Sequence, residues 1–304
     1  MTLQRYGNQK LVCAHTGNEL IHVDCASHVY PDGSVGIHDM CFRVLSQEIV
    51  ALVGPNGSGK STLIEHLNGL LEPSQGRIAV MGRDIDGRVR KMIWKDVGIV
   101  FQRSEDQLFA PTVLDDVMFG PLNTGMSAAD ARSAALEALG AVGAADLAQK
   151  LPAYLSGGQQ RLACIAGILA MRPKVIAMDE PTSDLDPLHA GVVEQIIRGL
   201  KEKHGISVVV ATHDLDMAAR LCDRVCVVKA GSIIAEGSPQ DVFYDDALLA
   251  EAGLKKPRIA AIYEALCMRM GTPAVERPVT IEQLTEWAGR LAARMDTKGK
   301  TGTL

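Results

Sequence analysis

The sequence has no Cys-x-x-Cys pair, no basic tract, no apolar run long enough to cross a bilayer and no internal repeat. Each absence excludes something. The seven cysteines (Cys13, Cys25, Cys41, Cys164, Cys222, Cys226, Cys267) are an odd number without a paired motif. Reduced thiols in a cytosolic protein fit them better than a disulfide framework. The net charge of −5, without a basic cluster, gives no push toward nucleic acid. The longest apolar stretches, such as Cys164 to Met171, fall far short of the roughly 20 residues a membrane span requires. Met1-Thr2-Leu3-Gln4-Arg5 lacks the apolar centre of a signal peptide, so a cytosolic location is expected. What is present is a 47% apolar share over 304 residues, ample for one large α/β domain and something smaller.

The most informative stretch is Gly54-Pro55-Asn56-Gly57-Ser58-Gly59-Lys60-Ser61-Thr62. An apolar run, Glu48 to Val53, precedes it and reads as a buried strand; Leu63 to Leu67 reads as the start of a helix. Strand, glycine-rich turn and helix form the phosphate-loop pattern Gly-x-x-x-x-Gly-Lys-Ser. Glycines let backbone N–H groups point inward without Cβ clashes, and the helix N-terminus adds positive dipole. Lys60 is expected on the β/γ-phosphates and the Ser61 hydroxyl on a Mg²⁺ ion. A second nucleotide signal is Val175-Ile176-Ala177-Met178-Asp179-Glu180. A hydrophobic strand ending in two acids sets carboxylates at the sheet's carboxyl edge, where α/β ligands bind. One acid can hold Mg²⁺ through water and the next can polarise the attacking water.

Along the chain, residues 1–18 are polar and irregular, read as a flexible leader. Leu20 to Cys25, Val35 to Val44 and Glu48 to Val53 read as strands, with Pro31-Asp32-Gly33 as a turn. Arg77 to Met81 and Val97 to Phe101 follow as further strands. Residues 113–171 lose the β-pattern and read as a helical insertion, with Ser127 as N-cap of an alanine-rich helix. Strand and helix then alternate: Lys174 to Asp179, a helix from Pro187 to about Lys203, and Ile206 to Ala211. Val225 to Val228 and Ile233 to Glu236 flank the turn Lys229-Ala230-Gly231-Ser232. This order argues for a largely parallel, doubly covered sheet. Beyond Lys255 the pattern weakens to a helix over Ile259 to Met270 and a last helix opened by Thr280 and Gln283, spaced as a capping box. Lys298 to Leu304 reads as disordered.

Four of the eight histidines, His15, His22, His28 and His38, are interleaved with Cys13, Cys25 and Cys41. Metal binding is one reading. Against it, strand alternation sends neighbouring side chains to opposite faces, and the spacings fit neither a zinc finger nor a helical i, i+4 pair.

Between the two nucleotide signals lies Leu155-Ser156-Gly157-Gly158-Gln159. With it the chain resembles the ATPase subunits of ATP-binding-cassette transporters, whose signature is this pentapeptide. The resemblance covers roughly residues 19–250 and implies a P-loop NTPase α/β fold: a mostly parallel central sheet, an N-terminal antiparallel β-subdomain and a helical signature subdomain near 113–171, with 251–304 as a C-terminal helical extension. It implies ATP and Mg²⁺ as ligands. Tyr30 sits at the adenine-stacking position; a strand aromatic packed in a core is the other reading, and Pro31-Asp32-Gly33 beside it favours stacking. Gln102 matches the Q-loop glutamine, Ser183-Asp184-Leu185-Asp186 the D-loop and His213 the switch histidine. Asp184 departs from the small residue usual there.

Carried over, the family mechanism gives Lys60, Ser61 and Thr62 to the phosphates and metal, and adds Gln102 and Asp179 to the metal and water shell. Glu180 becomes the general base, and His213 contacts the γ-phosphate. Ser156, Gly157 and Gly158 contact ATP held by a second ATPase subunit, in a homodimer or heterodimer. More narrowly, Phe101 to Val113, Asp115 to Asn123 and Tyr30-Pro31-Asp32-Gly33 resemble energy-coupling-factor importers. Ala252 to Ala260 resembles their cobalt and nickel group. The implied partners are a transmembrane energy-coupling subunit and a substrate-binding membrane subunit at the cytoplasmic face, with no nucleic acid. A vitamin importer of the same type is the alternative cargo. Soluble cassette ATPases of DNA repair or translation carry heptads or a second phosphate loop, and this sequence has neither.

Overall fold

The computed structural model describes residues 3–5 and 19–300, with side chains through residue 293. Cys13 and His15 lie outside the described residues. Within the stretch read as a leader, Gln4–Arg5 form a short strand, β1. β2 (Glu19–Val29) and β3 (Val35–Leu45) are joined by the Pro31-Asp32-Gly33 turn and pair antiparallel. β4 (Ile49–Val53) is buried at every position and delivers the chain to the glycine loop and α1 (Lys60–Leu67). β5 (Gln75–Val80) and β6 (Arg83–Asp84) extend the antiparallel sheet, in the order β3-β2-β5-β6. A one-turn helix, α2 (Gly87–Arg90), leads to β7 (Val97–Val100).

The non-β segment holds three longer helices: α3 (Val113–Thr124), α4 (Ala128–Ala141) and α5 (Gly157–Leu169). Thr112, Ser127 and Ser156 cap them, each hydroxyl accepting from a backbone N–H three residues on. β8 (Val175–Asp179), α6 (Pro187–His204), β9 (Ser207–Thr212) and α7 (Leu215–Leu221) then alternate. β10 (Arg224–Lys229) and β11 (Ser232–Gly237) form the hairpin, turned by Ala230 and Gly231 at positive φ. α8 (Pro239–Phe243), α9 (Asp246–Ala252), α10 (Arg258–Met270) and α11 (Ile281–Lys300) complete the described chain. The backbone of α11 therefore extends into residues read as disordered.

The central sheet has seven strands in the order β1-β11-β10-β4-β9-β8-β7. β10, β4, β9, β8 and β7 run parallel, whereas β11 and β1 close the edge antiparallel. Its two faces build two cores through the strand period of two. Ala51 and Val53 of β4, with Val208 and Val210 of β9, pack against the helical segment and α6. Val50 and Leu52, with Val209 and Ala211, pack against α1 and the antiparallel sheet. A buried ion cluster pins β10 at one end. The Arg224 guanidinium, 1% exposed, donates to Glu48 and Glu236, and Arg43 also reaches Glu236. Breaking such a cluster from one side costs about 3–5 kcal/mol.

A third, small core lies among the last helices. Tyr263 stacks edge-on against Trp287 at 4.9 Å and Tyr244 at 6.1 Å. The Tyr244 hydroxyl donates to the Pro278 carbonyl. Thr280 accepts from the Gln283 N–H, as its spacing implies, but the Gln283 side chain turns to the N–H of Val279 instead of closing a reciprocal box.

Candidate functional site

Strand register sets the site. Val53 is level with Thr212, Asp179 with Ala211 and Val100 with Met178. Four adjacent parallel strands therefore end together, and each releases one candidate group: the glycine loop after β4, Glu180 after β8, His213 after β9 and Gln102 after β7. They enclose a cavity of about 410 Å³ lined by Asn56, Gly57, Gly59, Lys60, Ser61, Thr62, Gln102, Asp179, Glu180 and His213. Tyr30, Val35 and Gly36 complete the lining.

The glycine loop is a forced geometry. Gly59 has φ +103°, and a Cβ there would lie 2.5 Å from the Gly36 carbonyl oxygen. A Cβ on Gly54 would lie 2.2 Å from the Val228 carbonyl oxygen. Only glycine fits either position. The Lys60 ammonium folds back on the loop, donating to the carbonyls of Gly54 at 2.8 Å and Pro55 at 3.1 Å. Burial pushes its pKa down, while the Glu180 and Asp179 carboxylates pull it up. A cation tethered by the loop's own carbonyls at the N-terminus of α1 is suited to a polyphosphate.

Asp179 has its pKa raised by burial and by Glu180, and partly restored by a hydrogen bond with Ser61 and by Lys60. Ser61, Asp179 and Gln102 line one wall and offer oxygen donors, the set that a hard divalent cation such as Mg²⁺ takes. Glu180 is buried and held at φ +46°. One carboxylate oxygen accepts from Ser183 at 3.1 Å and Thr212 at 3.2 Å; the other accepts from the His213 N–H at 3.0 Å and meets its ring Nδ1 at 2.7 Å. This is an oriented carboxylate at the cavity wall, the placement a general base for water requires. The Tyr30 hydroxyl is hydrogen-bonded to Thr62 at 3.0 Å, and its ring packs edge-on against His28.

The remaining candidates do not line this cavity. Pro55 is exposed and Ser58 buried, and the Ser58 N–H donates to the Pro55 carbonyl across the loop. Ser156 and Gln159 form a reciprocal capping box that opens α5 with Gly157 and Gly158, away from the phosphate loop. Asp186 caps α6, accepting from the N–H groups of Leu188 and His189. Asp184 is exposed at φ +62°, a conformation that aspartate tolerates better than most residues.

Two residues of consequence went unread in the sequence. Arg161, buried on α5, donates to the carbonyls of Phe101 and Gln102 and so fixes the Q-loop to the signature helix. His189 pairs with Asp186 and covers Gly158, where a Cβ would lie 2.5 Å from its ring. The Arg161 partners lie about 60 residues away in sequence; its place two residues after Gln159 was the available signal.

A second cavity, of about 380 Å³, opens beside the Q-loop and is mostly apolar. Trp94, Leu108, Phe109, Phe119, Ile168 and Met171 line it, and Phe109 and Phe119 meet edge-on at 4.9 Å while staying 66% and 52% exposed. Asp116 holds the rim by accepting from the N–H groups of Phe109 and Ala110.

Comparison with known proteins places this geometry. The ABC transporter family model matches residues 37–183. The energy-coupling factor transporter ATP-binding protein EcfA of Methanocaldococcus jannaschii is 43% identical over 246 residues, covering 80% of this chain and 88% of that protein. The structure of CbiO1 from Clostridium perfringens, part of the ABC transporter complex CbiONQ, is similar at a TM-score of 0.70 and 34% identity, covering 81% of this chain and 99% of that one. A dimeric ATP-binding cassette in a post-hydrolysis state with ADP and Pi is similar at a TM-score of 0.66 and 29% identity, covering 72% and 98%.

Proposed function

This chain belongs to the ATP-hydrolysing subunits of ABC transporters, and from that membership we propose that it powers import through a membrane partner as an energy-coupling-factor ATPase. The observation that carries the reading is the apolar groove that runs past Gln107. Its exposed Phe109 and Phe119 form a surface that costs solvation unless a helix covers it. No described helix is long and apolar enough to cross a membrane; we assign the covering helix to a membrane subunit. The protein then sits peripherally on the cytoplasmic face of the membrane.

Within the site, the loop from Gly54 to Thr62 cradles the phosphates, and Lys60 leaves its own carbonyls for the β/γ-oxygens. Ser61, Gln102 and Asp179 would hold Mg²⁺, which would supply neutralisation of phosphate charge. Glu180 takes the proton of the attacking water, and His213 reports the γ-phosphate by leaving Glu180 for it. Tyr30 swings from Thr62 to stack on adenine. Ser156, Gly157, Gly158 and Gln159 complete the site of a second ATPase subunit, with Asp186 at the same interface. Residues 19–250 carry the chemistry, and 251–304 form the extension.

Cobalt or nickel is the cargo we favour, on the resemblance of Ala252 to Ala260 to that group; a vitamin importer of the same type is the alternative. Co-expression with metal-specific or vitamin-specific membrane subunits separates them. A stable complex that takes up cobalt or nickel is expected. Phe119→Asp should abolish co-purification and leave ATP hydrolysis by the free subunit within about twofold, because the groove lies outside the phosphate site. Retention of the complex by that variant contradicts the docking reading.

A further inference from the structure

The antiparallel sheet carries a cluster that nucleotide chemistry does not use. β2 and β3 pair Val23 with Phe42 and Ala26 with Met40, so two residues of β2, Asp24 and Cys25, face the single residue Cys41. That is a β-bulge, with Cys25 at φ +46°. The bulge breaks the alternation that would have sent neighbouring side chains apart. One ligand atom each from Asp24, Cys25 and Cys41 therefore falls within 4.8 Å of the others. The described histidines of the same stretch have other partners: His22 has Glu19, His28 the Glu72 carbonyl and His38 the Asp39 carboxylate at 3.7 Å.

The two sulfurs are 3.6 Å apart, well beyond a disulfide bond. Two thiolates about 2.3 Å from one tetrahedral ion would stand about 3.8 Å apart. The donor set is equally selective: thiolates favour zinc-like ions, and a lone carboxylate adds too few oxygens for Mg²⁺ or Ca²⁺. Cys41 is buried, whereas Asp24 and Cys25 are half-exposed, so an ion can enter from solvent. The Arg77 guanidinium, 4.0 Å from Asp24, offsets the charge of three anionic ligands around a divalent ion. The bulge is also held from behind: Gly76 of β5 approaches so closely that a Cβ there would lie 2.3 Å from the Cys25 carbonyl oxygen.

We propose that Asp24, Cys25 and Cys41 form a binding site for a thiophilic divalent cation of the zinc type, with water as its fourth ligand. Burial and the neighbouring Cys41 and Asp24 raise the Cys25 thiol to about 11, so the ion binds by displacing protons. Two S–H bonds break, two metal–sulfur bonds form and two protons leave to solvent; nothing is oxidised. The bound ion clamps β2 to β3 just before the segments that bring Tyr30, Val35 and Gly36 to the nucleotide cavity.

The test uses the full-length, reduced, metal-free protein titrated with Co²⁺ and read by absorption. The expected result is one ion per chain, a thiolate-to-cobalt charge-transfer band, four-coordinate d–d bands and about two protons released. Cys41→Ser and Cys25→Ser should each weaken binding by more than the roughly 10–100-fold that loss of an outer contact brings. Asp24→Asn should weaken binding and keep the charge-transfer band. ATP binding checks that each variant is folded, since none of the three residues touches that site. Equal Co²⁺ binding by the Cys25→Ser/Cys41→Ser double variant overturns the proposal. So does a wild-type protein that shows no charge-transfer band when reduced, or one whose pair only forms a disulfide under peroxide.

Discussion

Glu180 leaves β8 in the left-handed region, and four groups, from Ser183, Thr212 and His213, fix its carboxylate. The role we propose for a carboxylate so oriented is to receive a proton from water. Glu180→Gln keeps the shape and removes the basicity, so steady-state ATP hydrolysis should fall by at least about 100-fold while ATP binding persists. Near-normal hydrolysis would contradict the assignment. His66 gives a second residue-scale expectation. It is fully buried, and its Nδ1 bonds to the Thr62 carbonyl at 2.7 Å, so the neutral ring donates there. Burial holds its pKa below the ordinary value. The unfolded chain takes up the proton at about pH 6.5 and the folded one does not. Stability from His66 is therefore complete above about 6.5 and is lost as pH falls toward the lower folded value. Thermal unfolding of His66→Gln should fall less steeply with acid than the wild type; parallel curves would contradict this. At this scale the sequence was most legible where chemistry is local. Lys60 and Ser61 follow from contiguous spacing. Arg161 and His189 did not, because their contacts exist only once α5 meets the Q-loop and α6.

Elements were legible where burial is two-sided. β4, β8 and β9 are continuous apolar runs, and their bounds agree with the reading to within a residue or so. β2 was cut short at Cys25, whereas the strand runs on to Val29. The bulge at Asp24 and Cys25 disturbs the period of two, and a period is all that a sequence offers for such a strand. Gln4–Arg5 could not be seen either, since a two-residue strand exists only by virtue of its partner β11. Contacts between elements govern the next expectation. Gly158 of α5 lies against His189 of α6, so Gly158→Ala forces the imidazole to move. Overpacking of this kind costs about 1–3 kcal/mol. The variant should lower both stability and hydrolysis, and adding His189→Ala should restore a good part of the stability. Additive losses in the double variant, measured by denaturant unfolding, would show that the two helices do not meet as described.

At the scale of the whole molecule, the cavity gathers phosphate-loop residues with Gln102, Asp179, Glu180 and His213, but none of the residues Ser156 to Gln159. Ser156 and Gly157 present a helix N-terminus elsewhere on the surface, where a phosphate bound by the same chain does not reach it. In the proposed function one chain supplies one jaw to each of two sites, with ATP as the adhesive between two chains. The fold class was legible from the alternation of strands and helices. The separation of the two half-sites was legible only through the resemblance, because sequence order does not say which surfaces face apart. A mixture of a Lys60→Ala chain with one carrying a bulky residue at Ser156 should recover at most one composite site, and full activity of either variant alone would be incompatible with shared sites. The most direct measurement is the mass in solution of the Glu180→Gln protein, by sedimentation or light scattering, with and without saturating ATP and Mg²⁺. The account predicts a dimer with ATP that reverts when ATP is removed and that fails to form when Ser156 is replaced by tryptophan; a protein that binds ATP fully and remains a monomer would contradict it.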